Sequence, residues 1–120
     1  MMKPIGWIGS ARTDLLLFPA EVIREVGHAL YVAQMEGKHQ SAKPLKGFGG
    51  AGVLEIVEND DGNAYRVVYT VRYREIIYVL HAFQKKSKRR IAAPLQELNT
   101  VRARLMAAEQ EYQAWQDVHR

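Results

Sequence analysis

Residues 65–83 read Tyr65-Arg66-Val67-Val68-Tyr69-Thr70-Val71-Arg72-Tyr73, then Arg74-Glu75, then Ile76-Ile77-Tyr78-Val79-Leu80-His81-Ala82-Phe83. The first run alternates Tyr65, Val67, Tyr69, Val71 and Tyr73 with Arg66, Val68, Thr70 and Arg72. That period of two belongs to a β-strand. With Arg74-Glu75 as a two-residue turn, the runs form a hairpin in which Tyr73 faces Ile76, Val71 faces Tyr78 and Val67 faces Ala82. On the other side Arg72 meets Ile77, Val68 meets His81 and Arg66 meets Phe83. The first face is wholly apolar and aromatic and is expected to lie on the core. The second gathers Arg66, Arg72 and His81 and leads into Lys85 and Lys86.

Outward from this hairpin, Asn59-Asp60-Asp61-Gly62 is a turn, since Asp-Gly favours the positive φ that hairpins need. Val53 to Glu58 is therefore a further strand. Residues 38–52, with four glycines, a proline and three lysines, read as a loop. Upstream, Val22, Ile23, Val26, Leu30 and Ala33 recur at helical spacing, in a helix opened at Phe18-Pro19 and stopped by Gly37. Pro4 to Ile8 reads as a short first strand. Downstream, Pro94 opens a last helix whose stripe is Leu95, Leu98, Leu105, Ala108, Tyr112 and Trp115. The fold class is α+β: a small antiparallel sheet with helices against it.

The chain has 120 residues, 48% of them apolar, which suits one domain over residues 1–120. It has no cysteine, excluding disulfides and thiolate zinc sites. No stretch approaches the roughly 18 apolar residues of a membrane span. The N-terminus lacks a signal-peptide pattern, so a cytoplasmic location is expected. The glycines of 47–52 are followed by a strand and by no Gly-Lys-Ser/Thr, so a phosphate-binding P-loop is excluded. The four histidines, His28, His39, His81 and His119, show no metal-ligand spacing, and neither metal nor cofactor is expected.

The net charge is +4, and its distribution is uneven. Between His81 and Arg104 stand seven basic residues (Lys85, Lys86, Lys88, Arg89, Arg90, Arg102, Arg104) and one acid, Glu97. A one-sided basic segment is the footprint of a polyphosphate binder, or else a solvated loop.

Several blocks together resemble the HigB-like, phage-associated branch of the RelE superfamily. Lys43-Pro44-Leu45-Lys46-Gly47-Phe48-Gly49 with Val53-Leu54-Glu55-Ile56 is similar to its loop and strand. Tyr65-Arg66-Val67-Val68-Tyr69 resembles its central strand, and Tyr78-Val79-Leu80-His81-Ala82-Phe83-Gln84-Lys85-Lys86-Ser87 its last strand and most distinctive motif. Phe18-Pro19, Glu21-Val22, Leu30 and Gln34 resemble its first helix. The likeness runs from about Trp7 to Arg104.

That resemblance implies a RelE-like fold, a curved antiparallel sheet with N-terminal helices on one face and a basic cleft on the other. It implies the toxin of a type II toxin–antitoxin system, a metal-independent endoribonuclease cutting mRNA on the ribosome. It also implies neutralisation by a cognate antitoxin, often a helix-turn-helix protein. Carried over by position, Arg66 matches the strand arginine at the scissile phosphate, Lys85 and Lys86 the basic pair after the last strand, and His81 the motif histidine. Lys43, Lys46, Arg72, Lys88, Arg89 and Arg90 are the further candidates for RNA contact. The chain departs from the pattern where Glu55-Ile56-Val57 replaces cations found in many relatives, and where no C-terminal tyrosine matches.

From the residues themselves other readings stay open. Arg66 reads equally as a partner of Glu55 or Glu58 on the adjacent strand, and His81 as a packing residue. Glu55 is either a general base or Arg66's ion-pair partner. At the level of function the alternatives are a member that binds antitoxin or nucleic acid without cleaving, and a ParE-like gyrase inhibitor.

Overall fold

The central hairpin of the computed structural model, which describes residues 2–50, 52–85 and 94–119, pairs β4 (Asn63–Thr70) with β5 (Ile77–Lys85). Its register is the expected one from Ala64↔Lys85 through Arg66↔Phe83 and Val67↔Ala82 to Val68↔His81. Beyond that it shifts by one, to Tyr69↔Val79 and Thr70↔Tyr78, so Leu80 is an extra residue on β5. The expected pairs Val71–Tyr78, Arg72–Ile77 and Tyr73–Ile76 do not form. On the β3 side the Gly52 carbonyl accepts both Thr70 Oγ1 (3.0 Å) and Val71 N–H (2.8 Å), extending the β3–β4 contact past Thr70. The β4–β5 ladder ends at Thr70, and residues 71–76 form a wider connection in place of a turn at Arg74-Glu75.

β3 (Val53–Asp60) pairs antiparallel with β4 through the two-residue turn Asp61-Gly62, both residues at positive φ (47° and 81°) as the Asp-Gly signal requires. The loop expected over 38–52 contains a short strand, β2 (Ala42–Pro44), antiparallel to β3. At the other edge β1 (Ile5–Trp7) runs parallel to β5. The sheet is thus mixed, in the order β1-β5-β4-β3-β2. An antiparallel sheet was expected; the parallel edge arises because β1 is joined to β5 only through the intervening helices and strands.

Before the sheet is complete the chain forms α1 (Ala11–Leu15) and α2 (Ala20–Gln34). α2 buries Val22, Val26, Ala29, Leu30 and Ala33. They pack on the sheet face carrying Ile56, Val67, Tyr69, Ile77, Val79 and Ala82. Past α2 the left-handed residue is Glu36 (φ 65°), one before the expected stop at Gly37, whose N–H closes the end on the Val32 carbonyl at 2.9 Å.

The opposite sheet face is not open. α3 (Leu95–Val118) lies on it and forms a second apolar cluster of Val101 and Ala108 with Val53, Val68, Tyr78, Leu80 and Phe83. The stripe is shifted from the expected one: Val101 is fully buried, while Leu95 is 69% exposed and Trp115 37%. Alternation explains the second core. Val68 and Phe83 share the face of Arg66 and His81, and the bulge turns Leu80 to the same side, so the cationic face carries enough apolar surface to hold a helix. Among the described residues no helix is long and apolar enough to cross a membrane.

Candidate functional site

Strand register places Lys43, Glu55, Val68 and His81 in one row across β2, β3, β4 and β5. The next row is Val57, Arg66 and Phe83, and Lys85 lies two residues further along β5, on the same face. Arg66 reaches diagonally back, its Nη1 donating to Glu55 Oε2 at 3.1 Å. Both residues are 4% exposed. Lys43 Nζ, more than half exposed, approaches the other Glu55 oxygen at 3.8 Å. The row is thus a carboxylate held between two cations, with Lys85, itself buried, at the strand end.

His81 is bracketed by α3. Its Nε2 lies 3.2 Å from Glu97 Oε1 and its Nδ1 3.2 Å from Arg104 Nη1. A guanidinium only donates, so Nδ1 accepts and Nε2–H donates to Glu97, which assigns the neutral tautomer. The ring stacks on Phe83 at 5.0 Å. Arg104 also donates to the Leu80 carbonyl (3.0 Å) and to Ser10 Oγ (3.0 Å), tying α3 to β5 and to the start of α1.

A second group of cations sits at the other end of the face. Arg102 lies over the Phe48 ring at 5.2 Å, a cation–π contact. Gly47 beside it holds a φ of +94°, a conformation that favours glycine. Lys46 and Arg72 are exposed on the same loop region. A Cβ on Gly52 would come 3.2 Å from the Arg72 amide, and Gly52 also holds a φ of +72° that favours glycine. An open cavity of about 520 Å3 beside this loop is lined by Leu45, Phe48, Val53, Leu54 and Val71, with none of Arg66, His81 or Lys85 in its wall.

Of the residues singled out in the sequence, the structure brings Lys43, Arg66, His81 and Lys85 onto one face and sets Lys46 and Arg72 at its margin. Lys86, Lys88, Arg89 and Arg90 lie outside the described residues. The expectation that Arg66 stands in an open cleft is corrected, because its face is a second core and its guanidinium is engaged by Glu55. Arg104, Glu97, Arg102 and Phe48 were not among the candidates. The basic bias of residues 81–104 was the available signal, but it did not say where α3 docks.

An α+β domain whose helix-covered mixed sheet carries buried cations beside a carboxylate and an imidazole is the class this geometry defines. The chain belongs to the phage-derived Gp49-like protein family (DUF891), whose profile matches residues 13–106. Its phage-derived character agrees with the phage-associated branch that the strand and loop motifs resemble. Among solved structures it is similar to the RelBE2 toxin–antitoxin complex of Mycobacterium tuberculosis, at 20% identity over 71% of this chain and 100% of that chain, with a TM-score of 0.49. Among curated proteins no sequence matches it.

Proposed function

We propose that this chain is the toxin of a type II toxin–antitoxin pair and that it cleaves mRNA on the ribosome. The observation that carries the reading is the gathering of Arg66, Lys43 and Lys85 on one sheet face with Glu55 and His81. Family membership supports it. In such a cleavage the RNA's own 2′-hydroxyl attacks the adjacent phosphate. The protein then supplies positive charge for the developing phosphorane and groups that move two protons. Arg66 and Lys85 take the charge role, with Lys86 beside them in sequence. An incoming phosphate competes with Glu55 for Arg66 and frees that carboxylate to accept the 2′-hydroxyl proton. The leaving 5′-oxygen receives the second proton from His81, which, with its Nε2–H held by Glu97, first takes a proton on Nδ1 once Arg104 turns toward the phosphate and then passes it on. Lys46, Arg72, Lys88, Arg89, Arg90 and the Phe48–Arg102 pair contact the flanking RNA. The working compartment is the cytoplasm, and the partner that silences the toxin is a cognate antitoxin of the helix-turn-helix kind.

One observation favours a second reading, a member that binds without cleaving: Arg66 is neutralised by Glu55, and both ring nitrogens of His81 are engaged. Induced expression followed by primer extension on cellular mRNA separates the two. Growth arrest with new 5′ ends inside translated regions supports the nuclease. Intact transcripts from soluble, folded protein overturn it in favour of binding alone.

A further inference from the structure

α2 carries Glu25 and His28 three residues apart on its exposed side. That spacing puts both side chains on one face of the helix. The segment between α2 and β2 returns His39 to this place, and the His28 and His39 rings lie 5.1 Å apart at 72°. One ligand atom from each of Glu25, His28 and His39 falls within 4.8 Å of the others. The histidines that show no ligand spacing along the sequence are therefore neighbours in space.

We propose that Glu25, His28 and His39 bind one divalent cation of the zinc, nickel or copper class. Two imidazoles and a carboxylate suit these borderline ions and not Mg2+ or Ca2+, which take oxygen ligands. Metal–ligand bonds of about 2.0–2.1 Å space tetrahedral ligands about 3.4 Å apart. The three groups close to that separation by small side-chain rotations, which their exposure permits. A fourth position is left for water.

His39 supplies an independent mark of binding. The Ser41 backbone N–H donates to His39 Nδ1 at 3.0 Å, so Nδ1 holds the lone pair and Nε2 the proton. A cation bound through Nδ1 takes the lone pair that Ser41 uses. A cation bound through Nε2 moves the proton to Nδ1, which then no longer accepts. On either route the Ser41 amide is released, so cation binding and the Ser41 contact exclude one another. The site ties the α2–β2 connection to α2, on the side of the sheet away from Arg66 and His81, and it stands independently of the cleavage reading.

The test is calorimetric titration of untagged protein with zinc chloride, paralleled by amide NMR spectra. The expected result is one Zn2+ per chain, no saturable Mg2+ binding, and affinity reduced at least about tenfold in His28→Ala and in His39→Ala. The Ser41 amide resonance shifts on zinc addition in the parent protein and does not respond in His39→Ala. All three ligands are at least partly exposed, so the variants are expected to fold. Absence of Zn2+ binding, binding unchanged in both variants, or a Ser41 resonance that does not move overturns the proposal.

Discussion

Glu55 and Arg66 form a buried ion pair across β3 and β4, with Nη1–Oε2 at 3.1 Å and both residues 4% exposed. Removing one partner of such a pair strands the other charge, at a cost of about 3–5 kcal/mol. Arg66→Ala is therefore expected to lower stability, with the exposed Lys43 at 3.8 Å offsetting part of the loss. The double variant Glu55→Ala/Arg66→Ala should lose clearly less than the two single losses combined. Urea unfolding of the four proteins measures this. Additive losses would mean the pair is not coupled. Cleavage by Arg66→Ala is accordingly to be compared with that of Arg66→Lys, which keeps the charge.

Arg104 joins three elements through the Leu80 carbonyl, Ser10 Oγ and His81. Arg104→Ala should loosen α3 and cost about 1–3 kcal/mol, since the Leu80 carbonyl loses a charge-assisted donor. Limited proteolysis should then cut within α3 faster than in the parent protein. Equal cutting rates would show that the apolar contacts of Val101 and Ala108 hold the helix unaided.

Binding to single-stranded RNA should weaken steeply with salt, because each neutralised phosphate releases counterions. Lys46→Ala and Arg72→Ala should each reduce the slope of log K against log salt by roughly 0.7. Arg102→Ala should do more, losing the phosphate contact and the Phe48 stack together. Fluorescence anisotropy at several salt concentrations gives these slopes, and slopes unchanged in all three variants would remove this loop from the interface.

Burial pushes the hydroxyls of Tyr69 and Tyr78 up to about 12 from an ordinary value of 10, with Glu111 adding to the effect at Tyr78. The unfolded chain therefore gives up these protons before the folded one. The stability they contribute is complete below pH 10 and is lost as pH rises toward 12, with a slope of up to about 1.4 kcal/mol per pH unit for each proton. Tyrosinate absorbance should show these two rings ionising late and together with unfolding. Ionisation of all six tyrosines near 10 in still-folded protein would contradict their placement.

Gly27 is exposed in the middle of α2, and a Cβ there would meet nothing within 4 Å. Gly27→Ala should raise stability by about 1 kcal/mol through helix propensity alone. A lower melting temperature would point to a contact that the helix surface does not display.

Local pattern determined much of this protein from sequence alone. Period-two alternation marked β4, the Asp61-Gly62 pair set its turn with β3, and Val22, Val26, Leu30 and Ala33 marked the buried face of α2. These signals were legible because each is carried by neighbours a few residues apart. The register of β4 with β5 was legible only as far as Val68, since beyond it Leu80 is an extra residue on β5, a bulge that the alternation of β4 does not reveal. β2 was hidden because a three-residue strand in a Gly- and Lys-rich segment exists only through its partner β3.

Two matters were decided by tertiary structure alone. Alternation assigned Arg66 and His81 to one face, but whether that face stays open depends on where α3 finds enough apolar surface. Val68, Leu80 and Phe83 provided it beside the cations. Likewise the choice of Glu55 over Glu58 as Arg66's partner, the contacts of His81 with Glu97 and Arg104, and the approach of His39 to His28 each join residues 11 or more positions apart. Sequence sets which charges and ring nitrogens a chain carries. Packing sets which of them meet and how far water is excluded from them, and that exclusion decides their strength and chemistry.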